Sequence, residues 1–203
     1  MKNTFTLLLL LSFSLLFAQE KGVATYYGSA WQGRRTASGE AYNTQRYTAA
    51  HKSYPFGTLL KVTHLGKNKA VVVRVIDRGP FGAGRIIDLA DIAAGELGIL
   101  RSGIGNVSVE IYDPKRQYPD LETKRIGIQI AVKNGVEALT PALSKLADLH
   151  YDNSGIEYKN ENGVEKYQLY IGPFSTNAEA DVVKMKLEKH FSDTFIFDMD
   201  KMK

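Results

Sequence analysis

Between Gly22 and Tyr112 the apolar residues fall in short runs broken by glycine: GVATYYG, RYTAAH, GTLLKVTHL, KAVVVRVID and NVSVEIYD. Runs of this length and spacing predict many short strands and a small closed β-barrel. One helix is predicted among them, in DIAAGELGIL after Asp88, where Ile92, Leu97 and Leu100 fall near one side and Gly95 and Gly98 weaken the helix. The pattern changes after Tyr112. Asp113 to Arg125, DPKRQYPDLETKR, is charged, holds two prolines and has no apolar period, so 113–124 reads as a linker. Beyond it RIGIQIAV alternates as a strand does, and Leu139, Ala142, Leu143, Leu146 and Leu149 share one helical face. Two strand-like runs follow, GIEYKNE and EKYQLYIGPF. A second helix starts at STNAEADVV, capped by Thr176 or Asn177, and TFIFDM closes the chain. Strand, helix, strand, strand, helix, strand is the split βαβ plan, with both helices on one face of a sheet and the other face free.

The first residues change the picture of where the protein works. Lys2 precedes a leucine-rich run, Leu7 to Leu16, too short to cross a bilayer comfortably, and the composition turns polar at Gln19. Residues 1–18 are therefore expected to be a signal peptide and the rest an exported, soluble protein of two domains, 22–112 and 125–203, working as a monomer. The chain has no cysteine, so the fold must hold by core burial without disulfides, and no lipid-modified N-terminus or other membrane anchor is expected. The formal charge of +4 falls to +3 when Lys2 leaves with the leader, and there is no long basic run. Export and that modest charge disfavour nucleic acid as a partner.

No His, Cys or Glu set has metal-ligand spacing, and there is neither a nucleophile elbow nor a phosphate loop. No metal and no cofactor is expected. What the first domain offers is carboxylates and aromatics near glycines: Glu40 in TASGEAYN, Asp77 and Asp88 in VIDRGPFGAGRIIDLA, His51 at the end of TAAH, and Tyr26, Tyr27 and Trp31. Flat aromatic faces suit sugar rings, and paired carboxyl groups can protonate a glycosidic oxygen and steady the cationic centre left behind. Each residue also has a plainer reading. Asp88 with Asp91 can cap the short helix, Asp77 can close a turn before Gly79 and Pro80, Glu40 can be a loop charge, and His51 can satisfy nearby backbone. Tyr26 and Tyr27 alternate across a strand, so one is expected in the core and one, Tyr27, in a groove.

At these residues the chain resembles a known family. TYYG, TASGEAYN, TAAHKSYPFGTLLKVTHL and VVVRVIDRGPFGAGRIIDLA are similar to the six-stranded double-psi β-barrel of the rare lipoprotein A family, bacterial septal-ring lytic transglycosylases related in fold to expansins. GIQIAV and QLYIGPFSTNAEADVVKMKL resemble a sporulation-related repeat (SPOR) domain, a small ferredoxin-like α+β module that binds peptidoglycan strands stripped of their stem peptides. The family's usual lipid is not implied here, and Gln168 stands where a basic residue is common ahead of the Gly-Pro turn.

The resemblance implies cleavage of MurNAc to GlcNAc bonds to 1,6-anhydroMurNAc ends in the periplasm, at the division site. It implicates Asp77, Glu40 and His51 in activity and places Asp88 at the groove; on this basis Asp77 is expected to be the general acid, Glu40 the polarising or deprotonating group and His51 a positioning group, with Asp88 and the groove-facing Tyr27 as substrate contacts. Gln129, on the free sheet face, is the candidate glycan contact of the second domain, because an amide both donates and accepts. The rival expectation is an expansin-like module that binds and loosens the wall without covalent chemistry.

Overall fold

In the computed structural model, residues 19–121 and 124–201 are described, and the leader expected over residues 1–18 lies outside them. Six strands close the barrel: β1 (Glu20–Tyr26), β2 (Thr48–His51), β3 (Leu59–His64), β4 (Lys69–Asp77), β5 (Arg85–Leu89) and β6 (Gly105–Ile111). Around the barrel they run β1-β5-β2-β4-β3-β6, with β1/β5 and β2/β4 parallel and the other pairs antiparallel. Closure leaves no edge strand exposed to pair with another chain. Inward positions of every strand meet in one core that includes Ala24, Ala49, Leu60, Val62, Val73, Val75, Ile87, Leu89, Val107 and Val109. A fully buried leucine or isoleucine such as Leu60 or Ile87 contributes about 1.5–3 kcal/mol.

Five of the six strands coincide with the apolar runs. The sixth, RIIDL, is a strand the runs do not announce, since it is short, follows a glycine-rich turn and carries a carboxylate. The helix α1 (Asp91–Leu97) also differs from its expected face. It buries Ala93, Ala94 and Leu97, while Leu100 lies beyond the helix and is exposed. Gly98 is the cause: its left-handed conformation ends the helix one residue after Leu97.

The second unit is β7 (Ile126–Lys133), α2 (Thr140–Asp148), β8 (Ser154–Glu161), β9 (Val164–Phe174), α3 (Asn177–Leu187) and β10 (Phe195–Asp198). Its sheet runs β10-β7-β9-β8 and is antiparallel throughout. Leu143 and Leu146 from α2 and Ala180, Val183 and Leu187 from α3 meet Ile126, Ile128, Leu169 and Ile171 on one sheet face. Thr176 starts α3 with a capping box, accepting from the Glu179 amide at 3.2 Å while Glu179 accepts from the Thr176 amide at 2.9 Å.

α3 is apolar on one side and meets the barrel with the other. Ala178, Asp181, Met185 and its C-cap Glu188, at helical spacing, turn to the barrel. Ala178 packs with Val72 and Tyr112, Asp181 lies 3.8 Å from Arg46, Met185 takes a hydrogen bond from Arg74, and Glu188 accepts from Arg46 at 3.0 Å. The linker is likewise no free tether. Tyr118 stacks on Tyr112 with ring centres 5.3 Å apart, and Leu121 joins the patch formed by Val72, Tyr112 and Ala178. Beneath it the buried Lys61 ammonium sits 2.6 Å from Asp120, 3.3 Å from Glu110 and 4.7 Å from the Tyr118 ring centre. These anchors are irregularly spaced, so no periodic pattern betrays them.

Removing the cation leaves Asp120 with a hydroxyl donor from Thr63 and Glu110 with Arg116, both with little water. Lys61→Ala is expected to cost about 3 kcal/mol and to bring the first proteolytic cut into residues 113–121. Thermal denaturation and limited proteolysis check this; an unchanged melting temperature with the linker still protected would contradict it.

Candidate active site

The groove is built where strand register breaks. β2 pairs with β4 so that Ala49 opposes Val75 but Ala50 opposes Asp77, a shift of one residue. Unbroken alternation from the inward Val73 and Val75 would send Asp77 into the barrel. The bulge turns it out instead. On the other side of β2, Ala50 opposes Asp88 of β5. Asp77 and Asp88 thus stand on strands flanking β2, with the small, buried Ala50 between them. The glycine-rich turn does not fold β5 back beside β4, as a simple hairpin would; it carries the chain over β2. Gly79 lies above, at a φ of +133°, and a Cβ there would come within 3.9 Å of both the Ala50 Cβ and Asp88 Oδ2.

Asp77 is surrounded by donors. Its Oδ2 accepts from the Tyr27 hydroxyl at 2.7 Å, and its Oδ1 accepts from the backbone amides of Ala37 and Arg78, each at 2.8 Å. The Arg78 guanidinium points elsewhere, donating to the carbonyls of Tyr54 (3.0 Å) and His51 (3.3 Å) and lying 3.8 Å from the Phe56 ring centre. Burial and the bond to Asp77 hold the Tyr27 hydroxyl far above the ordinary tyrosine range, so it stays a donor. Its ring packs on Tyr42 at 4.7 Å and on Trp31 at 6.1 Å, while Tyr26 leans on the barrel core.

Asp88 lives in a different environment. A register shift in the β1/β5 pair sets it opposite Thr25, whose hydroxyl donates to its Oδ1. Burial pushes its carboxyl above the ordinary aspartate value and the charge of Asp77 adds to this, while Thr25 and Arg85 pull the other way. Two carboxyl groups at one groove are therefore unlike: one is wrapped in donors, the other is favoured to keep its proton.

Glu40 and His51 stand apart from this pair. Both Glu40 oxygens are taken by Arg74, at 2.6 and 2.8 Å, and the ion pair holds Glu40 below the usual carboxylate range. A carboxylate clamped in this way is a poor base. His51 follows Ala50 on β2 and so points to the opposite face, almost fully buried. Its Nε2 meets Glu20 at 3.1 Å and its Nδ1 accepts from the amides of Tyr54 (3.2 Å) and Ser53 (3.3 Å). Desolvation holds its pKa below the ordinary histidine value. It braces the groove's end and touches neither Asp77 nor Asp88. Sequence reading pairs neither Glu40 with Arg74 nor His51 with Glu20, because both partners lie more than thirty residues away.

The second unit offers an open sheet face. Gln129 of β7 is half-buried there, opposite Phe195 of β10 and Tyr170 of β9. With Gln168, Lys159, Lys166 and Phe197 it lines a cleft of about 640 Å³. Tyr170 and Phe197 meet edge to face at 6.1 Å. Gln168 is only 4% exposed, lying in the floor of the cleft. Among the described residues no group of three or more His, Asp or Glu is arranged to hold a metal ion, and no helix is long and apolar enough to cross a membrane.

The chain is of the class that joins a closed double-psi barrel, here with two unlike carboxyl groups at its groove, to a two-layer α+β unit with an aromatic and amide-lined sheet. The lytic transglycolase family matches residues 19–109 and the SPOR domain matches residues 122–197. An endolytic peptidoglycan transglycosylase RlpA of Haemophilus influenzae is 30% identical over 84% of this chain and 71% of its own length. Its counterpart in Neisseria meningitidis serogroup B is 35% identical over 79% of this chain and 68% of its own. The chain belongs to this RlpA family of endolytic peptidoglycan transglycosylases. A probable member from Synechocystis is 53% identical over 90 residues, and there the chain spans only 28% of the relative's length. Among solved structures, a Clavibacter michiganensis expansin in complex with cellohexaose aligns with a TM-score of 0.40, covering 58% of each chain at 24% identity.

The Asp88 environment gives a test independent of substrate. The folded protein keeps this proton to a higher pH than the unfolded chain does, so stability falls as pH rises from the ordinary aspartate value through the raised one. Asp88→Asn removes the titrating group and with it this pH-dependent cost. The variant is expected to melt higher than the parent at neutral pH and to lose that advantage below the ordinary aspartate range. A lower melting temperature at neutral pH would contradict the assignment.

Proposed function

We propose that the barrel is an exported, endolytic lytic transglycosylase that cuts MurNAc to GlcNAc bonds in peptide-free peptidoglycan and that the second unit holds the strand. The observation that carries this is the pair of unlike carboxyl groups flanking Ala50, with the Tyr27 hydroxyl fixed on one of them.

The chemistry follows from their difference. Asp88, favoured to keep its proton, donates it to the glycosidic oxygen as the bond to C1 breaks. Asp77, already oriented by three donors, faces the positive charge that grows at the sugar and takes the proton of the MurNAc 6-hydroxyl as that oxygen closes onto C1. One C–O bond breaks and one forms, the proton lost by Asp88 is matched by the proton gained by Asp77, and neither water nor a cofactor is consumed. The general acid thus passes from Asp77, where the sequence motif puts it, to Asp88. Tyr27, Trp31 and the strongly exposed Phe81 supply flat faces along the groove for neighbouring sugars. The protein works as a monomer in the periplasm, at sites where wall has been stripped of peptides.

Purified protein lacking residues 1–18 is expected to release products ending in 1,6-anhydroMurNAc from peptide-free glycan, read by mass spectrometry. Asp88→Asn and Asp77→Asn are each expected to lower the rate by about a hundredfold or more. Reducing-end MurNAc would mean hydrolysis. No products, where another transglycosylase works on the same glycan, would leave the non-catalytic wall-loosening reading.

The sheet face is tested separately. Gln129→Ala with Phe195→Ala is expected to weaken pull-down by peptide-free sacculi about tenfold while turnover of short soluble glycans stays within twofold. Undiminished pull-down would move the main glycan contact to the barrel.

A further inference from the structure

The turn that supplies an amide to Asp77 has nothing apolar to hold it. Thr36–Glu40 closes on itself through Thr36 N–H to the Glu40 carbonyl (2.8 Å) and Gly39 N–H to the Thr36 carbonyl (2.9 Å). It lies along β4 with Ser38 N–H on the Ile76 carbonyl (3.1 Å) and Ala37 N–H on Asp77 Oδ1 (2.8 Å). None of residues 35–40 is buried. Its base is held by the Arg35–Ala41 bridge, and its charged anchor to the barrel is Glu40, whose two oxygens are gripped by Arg74 three residues before Asp77 on the same strand.

Arg74 in turn is set from outside the barrel. Its side chain is 7% exposed and its Nε has no partner, a costly position for a cation unless the guanidinium is otherwise held. α3 closes over it: Nη2, already on Glu40, also points at the Met185 sulfur at 2.9 Å, and Glu40 and Met185 line one cleft of about 300 Å³. Arg46, bound to Glu188 and near Asp181, ties the same helix down next to it.

We propose that Arg74, seated by Met185 of α3, is a positioning residue for Asp77: by gripping Glu40 it fixes the Thr36–Glu40 turn and thereby the Ala37 amide that orients the reacting carboxylate. Glu40 acts through this turn and not on the sugar. The glycan-binding unit then supplies part of the scaffold of the cutting groove. This rests on the role given to Asp77 above.

The test uses the full chain without residues 1–18 and compares Arg74→Met, Glu40→Gln, the double variant and Met185→Ala. Amide exchange at Ala37 is read by NMR, and kcat and KM are measured on peptide-free glycan. Each of the first two variants is expected to speed Ala37 exchange about tenfold and to lower kcat about tenfold with KM within twofold. The double variant is expected to be no worse than either single one, since both remove the same anchor. Met185→Ala should move both readouts the same way by less. Amides of β3 report whether the barrel stays folded, and should Arg74→Met fail to fold, Glu40→Gln and Met185→Ala carry the comparison.

A loss of kcat in Glu40→Gln far beyond that in Arg74→Met, with Ala37 exchange unchanged, would overturn the proposal and return Glu40 to direct chemistry. If the parent yields no 1,6-anhydro products the proposed activity fails, while Ala37 exchange still decides whether Arg74 and α3 fix the turn.

Discussion

The rest of the site depends on a one-residue slip between β2 and β4. It sets Asp77 opposite Ala50 and turns toward solvent a carboxylate that strand alternation would bury. Because Ala50 also opposes Asp88, a single methyl group separates the two carboxyl-bearing positions. A larger side chain there would crowd Gly79, where a Cβ would already lie 3.9 Å from the Ala50 Cβ. The same slip brings Asp77 under the Tyr27 hydroxyl and the Ala37 and Arg78 amides, so its partners are all donors. Asp88, on the far side of β2, accepts from the Thr25 hydroxyl, and burial pushes its carboxyl up. Register, not sequence proximity, makes two aspartates chemically different.

The second unit is tied to this groove through α3 as well as through the linker. α3 divides its surface between two neighbours: Ala180, Val183 and Leu187 seal the sheet, and Ala178, Asp181 and Met185 meet the barrel. One helix therefore carries both the fold of the glycan-binding unit and its seat beside Arg74. The opposite sheet face stays open as a cleft lined by Gln129, Gln168 and Phe197, so the barrel groove and this cleft are separate surfaces.

Much of this was legible in the sequence, and the losses have physical causes. Short apolar runs gave five barrel strands, and alternation in RIGIQIAV put Gln129 on the open face of its sheet. RIIDL escaped because a five-residue strand with a central aspartate has too little pattern to read. The helix after Asp88 was assigned the wrong face because Gly98 ends it before Leu100. The TYYG, DRGPF and RIIDL stretches pointed to a groove, and the fold does bring Tyr27, Asp77 and Asp88 together. What spacing could not give was who holds whom: Arg74 on Glu40, Glu20 on His51, Met185 on Arg74. Each pair joins segments that only the closed barrel or the packed α3 makes neighbours.

The central claim is that Asp88 keeps its proton when an ordinary aspartate has lost it. Carbon-13 NMR titration of the side-chain carboxyl groups, with the Asp88 signal assigned by its absence in Asp88→Asn, reads this directly. The account predicts a midpoint above the ordinary aspartate value, rising further in Thr25→Val, where the hydroxyl that favours the anion is gone. A midpoint at or below the ordinary value, unmoved by Thr25→Val, would contradict it.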